Sequence, residues 1–398
     1  MEMKLIVLVV IVLVAIAVAQ LMRVYELTAK IRNRREEEID LRVNNLNAGM
    51  MIVFLAVFFG TAVYMLAKYG NGMLPEAASE LGRDIDWLFN INWIIVFAVF
   101  FATNAILFIF AYKYAYHPDR KAYFFPHDNR LEMIWTVVPA ATLAVIIILG
   151  LMTWNKITGK ASDDAVVVEL YAEQFSWTAR YSGEDNKLGY SDYKLVTTFA
   201  ENPNPLGVIT TSNIEWRLKE LDLTIDGMYA DIDAEDKNQK AFSKAASEKM
   251  RSKVEKLERI RERVVIMKEM YTDSTDLIAA DDYTAKELFL IKDQEYQFIL
   301  RSRDVIHSAY FPHFRAQMNC VPGQRTKLKV KPIYTTSEMR ERTGNPEFNF
   351  ILMCNKICGE SHSNMKMSVV VGTAEEFIAW KEAGNTNLVV AHEVPAGE

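Results

Sequence analysis

Cysteine is scarce in this chain: there are three among 398 residues. Three thiols close at most one disulfide, which excludes a small disulfide-stapled scaffold. A Cys-x-x-Cys-His segment is absent, so no c-type haem is attached to this chain. A basic excess is also missing, the formal net charge being -6. Neutralising phosphates takes clustered Lys and Arg, so nucleic acid is excluded as the main partner. Charge is sparse in the long apolar runs before residue 155 and dense after it. That division implies a membrane region followed by a water-soluble domain, and the length implies two or three domains.

A membrane-spanning helix needs about 20 mostly apolar residues. Four runs qualify: Leu5 to Met22, Met50 to Ala67, Ile91 to Tyr112 and Ile134 to Trp154. Trp or Tyr near the ends of the last two suits anchoring at the lipid headgroups. The loop from Arg23 to Ala48 carries Arg23, Lys30, Arg32, Arg34, Arg35 and Arg42. The next, Gly70 to Asn90, sets Arg83 against Glu76, Glu80, Asp84 and Asp86. Lys113, Arg120, Lys121 and Arg130 return in the third. Basic loops stay cytoplasmic, so both termini and the soluble domain are expected outside. Ala17-Val18-Ala19 resembles a signal cleavage site. Cleavage there would strand the first basic loop on the wrong face, which favours retention of all four spans.

The soluble part reads as all-β. Ala165 to Tyr181 is β-branched and aromatic, as are Glu287 to Ser302, Thr326 to Tyr334, Phe348 to Cys354 and Met365 to Gly372. Short strands separated by Pro and Gly suggest a sandwich or barrel. Glu375 to Ala383 is expected as a short helix. Asn238 to Tyr271 breaks the pattern with apolar residues at helical spacing, and is expected as one long amphipathic helix or a helical pair. The acidic run Asp226 to Asp236 before it lacks calcium-loop spacing and is expected as a solvated turn.

The stretch from Cys354 to Met365 carries the chemistry. Cys354 and Cys358 are followed closely by His362 and Met365. Outside the cytoplasm free thiols are unusual, and metal ligation is one reason for keeping them. A zinc site would normally offer four Cys or His ligands, often in CxxC pairs, and a thioether suits it poorly. Soft sulfur with imidazole favours copper and electron transfer. By analogy with blue-copper folds, a further histidine is drawn from a distant strand. His307 is the candidate and His313, in a turn after Pro312, the competitor. A disulfide or plain core packing would explain each residue alone, but explains the joint pattern poorly. Cys320 lacks such company and is expected as a small buried hydrophobe.

These residues resemble the binuclear copper (CuA) loop of cytochrome c oxidase subunit II. "DVIHS" at Asp304 to Ser308, "NCVPGQ" at Asn319 to Gln324, "LEMIWTVVPA" at Leu131 to Ala140 and "AEQFSWTARY" at Ala172 to Tyr181 resemble other segments of that family. The resemblance implies transmembrane helices followed by a cupredoxin-like sandwich with a helical insertion. Two extra N-terminal spans would occupy 1–70, a helical hairpin 91–154, and the copper domain 160–384, with its insert at about 205–285 and a tail at 385–398. Cys354 and Cys358 would bridge two coppers. His307 and Met365 would complete one, and His362 with the backbone carbonyl of Lys356 the other. Glu132 matches a glutamate at the mouth of a proton path. Phe175 falls where the family has its electron-accepting tryptophan, with Trp177 two residues on. The family often has Glu at the position of Lys356, helping to hold magnesium. A lysine cation cannot ligate Mg²⁺, which puts that magnesium site in doubt.

The function implied is that of the electron-accepting subunit of a terminal oxidase in a bacterial plasma membrane. Cytochrome c, or a cytochrome domain of a neighbouring complex, would donate at the outer face. Haem and CuB in subunit I would reduce oxygen, with protons pumped. Subunit I, other oxidase subunits and membrane lipid are the partners expected, and the extra spans and insert suggest further contacts. The alternative is a membrane-tethered copper carrier holding one exchangeable copper.

Overall fold

The computed structural model describes residues 2–31, 40–197, 203–236, 243–271 and 273–389. Arg32, Arg34 and Arg35 of the first basic loop, the start of the expected helix at 238–242, and the tail from 390 lie outside them. The chain divides into two compact units, Met1–Leu74 with Ile91–Pro139, and Pro75–Asn90 with Ala140–Glu398.

The first four helices are α1 (Glu2–Ile31), α2 (Leu41–Tyr69), α3 (Glu80–Lys113) and α4 (Asn129–Thr158). Among the described residues three helical segments, Leu41–Gly72, Glu80–Lys113 and Asn129–Thr158, are long and apolar enough to cross a membrane. The first apolar run lies in α1. In the first unit, phenylalanines zip α2 to α3. Phe54 meets Phe108, Phe58 meets Phe100 and Phe59 meets Phe101, with ring centroids 5.2, 5.5 and 4.7 Å apart. Offset and edge contacts of this kind suit the aromatic quadrupole.

The second unit is built on a β-sandwich. Its elements run β1 (Val166–Glu173), β2 (Ser176–Tyr181), α5 (Thr211–Asp236), α6 (Lys244–Met270), α7 (Asp273–Ala279), β3 (Tyr283–Ala285), β4 (Leu288–Ile291) and β5 (Tyr296–Ser302). There follow β6 (His307–Phe311), β7 (Ala316–Cys320), β8 (Thr326–Val330), α8 (Thr336–Thr343), β9 (Phe350–Cys354), β10 (Lys366–Gly372), α9 (Ala374–Trp380) and β11 (Asn387–Leu388). One sheet has the order β11-β3-β2-β1-β5-β8 and the other β4-β10-β9-β6-β7. Two pairs are parallel, β1 with β5 and β4 with β10; the other pairs are antiparallel. Period-2 alternation sends Tyr296, Phe298 and Leu300 of β5 inward. Phe298 stacks on Phe311 of β6 at 5.5 Å and joins the two sheets.

Two expected strands break in two. Ala165 to Tyr181 is the β1–β2 hairpin, with Glu173 opposite Ser176. Glu287 to Ser302 divides into β4 and β5, which lie in different sheets. Asp293 makes that corner with φ +62°, while Lys292 N donates to Gly372 O at 2.9 Å. Period-2 patterning marks the strands but not the bend between them.

The acidic run is a correction. Asp226 to Asp236 is the second half of α5, not a turn. Ile225 and Ile232 sit about two turns apart and pack with Val254 of α6. Asp226 and Asp233 are exposed while the apolar stripe is buried. The described part of the expected helix at 238–271 is α6, one helix paired with α5.

Buried charge ties β1, β2 and β5 together. Glu169 and Arg180 are each 1 % exposed and Asp282 is fully buried. Arg180 Nε lies 2.9 Å from Glu169 Oε2, and Arg301 Nη1 2.8 Å from Glu169 Oε1. Burial opposes the Glu169 charge, but the two guanidiniums outweigh it and hold its pKa below the usual value. Asp282 has only Arg180 at 3.4 Å and the Gly189 N–H, and burial pushes its pKa up to about 7. Removing one partner of a buried pair leaves an uncompensated charge. Arg180→Ala should therefore cost roughly 3–5 kcal/mol in urea unfolding of the second unit's tertiary signal. A loss under about 1 kcal/mol would show that water reaches Glu169.

Candidate metal centre

The centre is assembled by two neighbouring strands and one loop. β9 ends at Cys354, and the loop to β10 carries Lys356, Cys358, His362 and Met365. β6 begins at His307 and runs antiparallel to β9, with Ala309 opposite Cys354. Both ends of the loop are fastened by backbone hydrogen bonds. Cys354 N donates to Met365 O at 3.0 Å, and Asn355 N to Ser308 O at 3.0 Å. A short 3₁₀ turn, His362–Asn364, folds the far end back.

The donors converge. The two cysteine sulfurs lie 3.9 Å apart, and all three cysteines are free of disulfides. Cys354 Sγ is 3.8 Å from His307 Nδ1 and 3.2 Å from Lys356 O. Cys358 Sγ is 3.5 Å from His362 Nδ1 and 3.8 Å from Met365 Sδ. His307, Cys354, Cys358 and Met365 are buried, while His362 is half-buried. Burial, with the neighbouring Cys354, pushes the Cys358 thiol up to about 11.

His307 is oriented from behind. Its Nε2 lies 2.8 Å from Asp304 Oδ1, so the carboxylate assigns the proton to Nε2 and the Nδ1 lone pair to the cysteines. Burial disfavours the Asp304 charge, but the His307 contact and the Gln174 and Val305 N–H groups hold its pKa below the usual value. Gln174 also clamps the loop by donating its Nε2 to Cys358 O.

Gly359 has a steric reason for its identity. Its φ is +143°, and a Cβ there would sit 2.8 Å from Phe175 Cζ and 2.9 Å from Gln174 Nε2. Phe175 is half-buried against the loop at this point. Trp177 differs from what a surface aromatic requires. It is 3 % exposed, with its ring edge-on to His307 at 6.3 Å. Tryptophan fills the core here because its position on β2 points inward.

The remaining candidates fall elsewhere. His313 stands edge-on to Phe348 and Phe350 at 5.0 and 5.5 Å, in a packing role. Cys320 is fully buried and its thiol is pushed up to about 12 by burial. Glu132 belongs to the other unit, in the first turn of α4, with Oε1 3.9 Å from His127 Nδ1. The Lys356 side chain is exposed, and only its carbonyl faces the sulfurs. Sequence reasoning assigned no role to Asp304, Gln174 and Gly359. Asp304 lies within a quoted motif, but its partner is visible only once β6 is placed.

Two thiols, two imidazoles, a thioether and a carbonyl form a donor set suited to a soft metal. A model of the cytochrome c oxidase subunit II transmembrane domain matches residues 66–153. An alternative cytochrome c oxidase subunit 2 of Bradyrhizobium diazoefficiens is 24% identical over 337 residues, covering 84% of this chain and 91% of that protein. A cytochrome c oxidase subunit 2 of Thermostichus vulcanus is 22% identical over 364 residues, covering 90% of each. By these matches the chain is similar to cytochrome c oxidase subunit II. The periplasmic domain of subunit II of cytochrome oxidase of Bradyrhizobium japonicum aligns at 14% identity and a TM-score of 0.27, covering 56% of this chain and 96% of that one. At that score the strand order, not the superposition, describes the fold.

In this subunit II-like chain, Gly359→Ala meets both the positive φ and the Phe175 ring. It should destabilise the second unit by roughly 1–3 kcal/mol in urea unfolding, the range for a strained backbone. An unchanged midpoint would mean that the Phe175 ring yields freely.

Proposed function

We propose that this chain is the electron-accepting subunit of a haem-copper terminal oxidase, holding a binuclear copper centre. The observation that supports it best is the sulfur pair, 3.9 Å apart and flanked by His307, His362, Met365 and the Lys356 carbonyl. Cys354 and Cys358 would hold both metals, His307 and Met365 one, and His362 with the Lys356 carbonyl the other. A bound copper pair supplies a one-electron store whose charge spreads over two metals. The protein's part is to fix the donors. Asp304 aims His307, Gln174 pins the loop, and the sandwich core excludes water from the sulfurs. Lys356 brings no carboxylate, so no magnesium is assigned to it.

Cytochrome c, or a cytochrome domain, would dock on the outer surface of the loop. Ile357 is 85 % exposed there, and Val305 and Ile306 are also exposed. Phe175, against the same loop, is the aromatic proposed to face the donor, while Trp177 is too deeply buried for that contact. Electrons would pass on to haem in subunit I, where oxygen is reduced to water and protons are pumped. The basic loops support four retained spans in a bacterial plasma membrane, with the copper domain outside. In that topology Glu132 lies at the cytoplasmic edge, where a carboxylate could gather protons. His127 stands beside it, 83 % exposed, with Nδ1 3.9 Å from Glu132 Oε1.

Two experiments test this reading. Purified wild-type chain should hold two tightly bound coppers, and Cys354→Ser or Cys358→Ser in the oxidase should lower electron acceptance from cytochrome c by at least about 100-fold. Normal acceptance, or a single labile copper, would sink the assignment in favour of a copper carrier. Glu132→Gln should slow turnover about tenfold or more, in the range for a lost proton-transfer group, while copper reduction stays fast. Slowed copper reduction with normal proton uptake would remove Glu132 from the proton path.

A further inference from the structure

A second polar site lies apart from the copper donors in the same unit. It is a cleft of about 530 Å³ whose lining includes Tyr171, Ser191, Tyr193, Arg301, Arg303 and Arg325. Three guanidiniums therefore share one concave surface. Two of them meet on a single atom: Ser191 Oγ accepts from Arg325 Nη2 at 3.2 Å and from Arg301 Nη1. Glu169 meets the Arg301 charge at 2.8 Å, so the charge that an anion in the cleft would meet is chiefly that of Arg325.

The carboxylates nearby are already engaged. Glu169 is shared between Arg180 and Arg301. Glu173 pairs with Arg303 at 2.7 Å, and Asp192 with Lys194 at 3.1 Å. Arg325 has no ion-pair partner within 4 Å among the described residues; the nearby buried carboxylate, Glu169, is already shared by Arg180 and Arg301. Arg301 is pre-organised: it donates to Leu206 O at 2.9 Å and lies over the Tyr171 ring at 5.0 Å. A planar guanidinium fixed in this way suits bidentate recognition of an oxyanion. The cleft is in the size range of small-molecule sites and much larger than one phosphate. Tyr193, 68 % exposed on its wall, offers an apolar face to the rest of the molecule.

We propose that this cleft binds a small phosphate-bearing solute, its phosphate held by Arg325 and Arg301 and its organic part against Tyr193. The copper reading is not required for it. The test is calorimetric titration of the purified full chain in detergent with pyrophosphate, ATP and citrate. Pyrophosphate or ATP should bind at millimolar concentration or below, more weakly as sodium chloride is raised. Arg325→Gln should weaken binding about tenfold or more, the loss expected for a charged hydrogen bond. Arg325→Lys, which keeps the charge but not the fork, should fall between them and serves as the comparison if Arg325→Gln does not fold. Tighter binding of ATP than of pyrophosphate, reversed by Tyr193→Ala, would assign the organic part to Tyr193. Absence of phosphate binding, binding of citrate alone, or equal affinity in wild type and both Arg325 variants would overturn the proposal.

Discussion

The soluble unit is organised around the cost of keeping two thiols side by side in a dry pocket. Cys354 and Cys358 are spaced along the chain so that a strand end supplies one sulfur and a loop the other. Their separation of 3.9 Å rests on the Cys354–Met365 and Asn355–Ser308 backbone bonds. Those bonds exist only if β6, β9 and β10 are neighbours. The order of the second sheet is therefore what brings His307, 47 residues away in sequence, to the same sulfur. A one-residue slip of β6 against β9 would turn His307 to the opposite face.

Much of this was legible because the donors are chemically unusual. Cys, His and Met at close spacing cannot be read as ordinary polar surface, and four of the six donors lie in one loop. The β-branched runs were equally legible, since alternation reports burial on one face. What stayed hidden depends on tertiary partners. The bend at Asp293 has no Gly or Pro to announce it. The acidic face of α5 looked like a turn because its buried stripe is narrow, and Ile225 and Ile232 matter only once α6 lies beside them. Trp177 and Phe175 are two residues apart and both aromatic, so alternation alone would put them on one face; Phe175 differs because it lies in the turn between β1 and β2.

The inserted helices illustrate a second economy of burial. α5 and α6 satisfy their apolar faces on each other, with Ile214, Leu221, Val264 and Met267 in one cluster and Ile225, Ile232 and Val254 in another. Separate clusters, distinct from the sandwich core, let the pair be inserted between β2 and β3 without altering the register of either sheet. Polar contacts seat its base: Asp276 accepts from Thr211 N at 2.9 Å, and Arg217 Nε donates to Lys194 O at 2.9 Å. The same region supplies Asp192, Tyr193 and Lys194 beside the arginine cleft, so insertion and cleft share one stretch of backbone.

Protonation ties Cys358 to the compartment it is expected to face. A thiol pushed up to about 11 stays protonated near neutral pH, and the thiolate is the form that oxidants and metals attack. Burial thus slows oxidation of Cys358 while the pocket is unloaded, and it also means that metal capture must release protons. Asp304 resolves part of this conflict without adding charge to the sulfurs. It fixes the tautomer of His307, so the Nδ1 lone pair is already aimed at the sulfurs. The two imidazoles, the thioether and the carbonyl bring no carboxylate into the pocket around the two sulfurs. That is the physical reason why a hydrophobic core can tolerate the site at all.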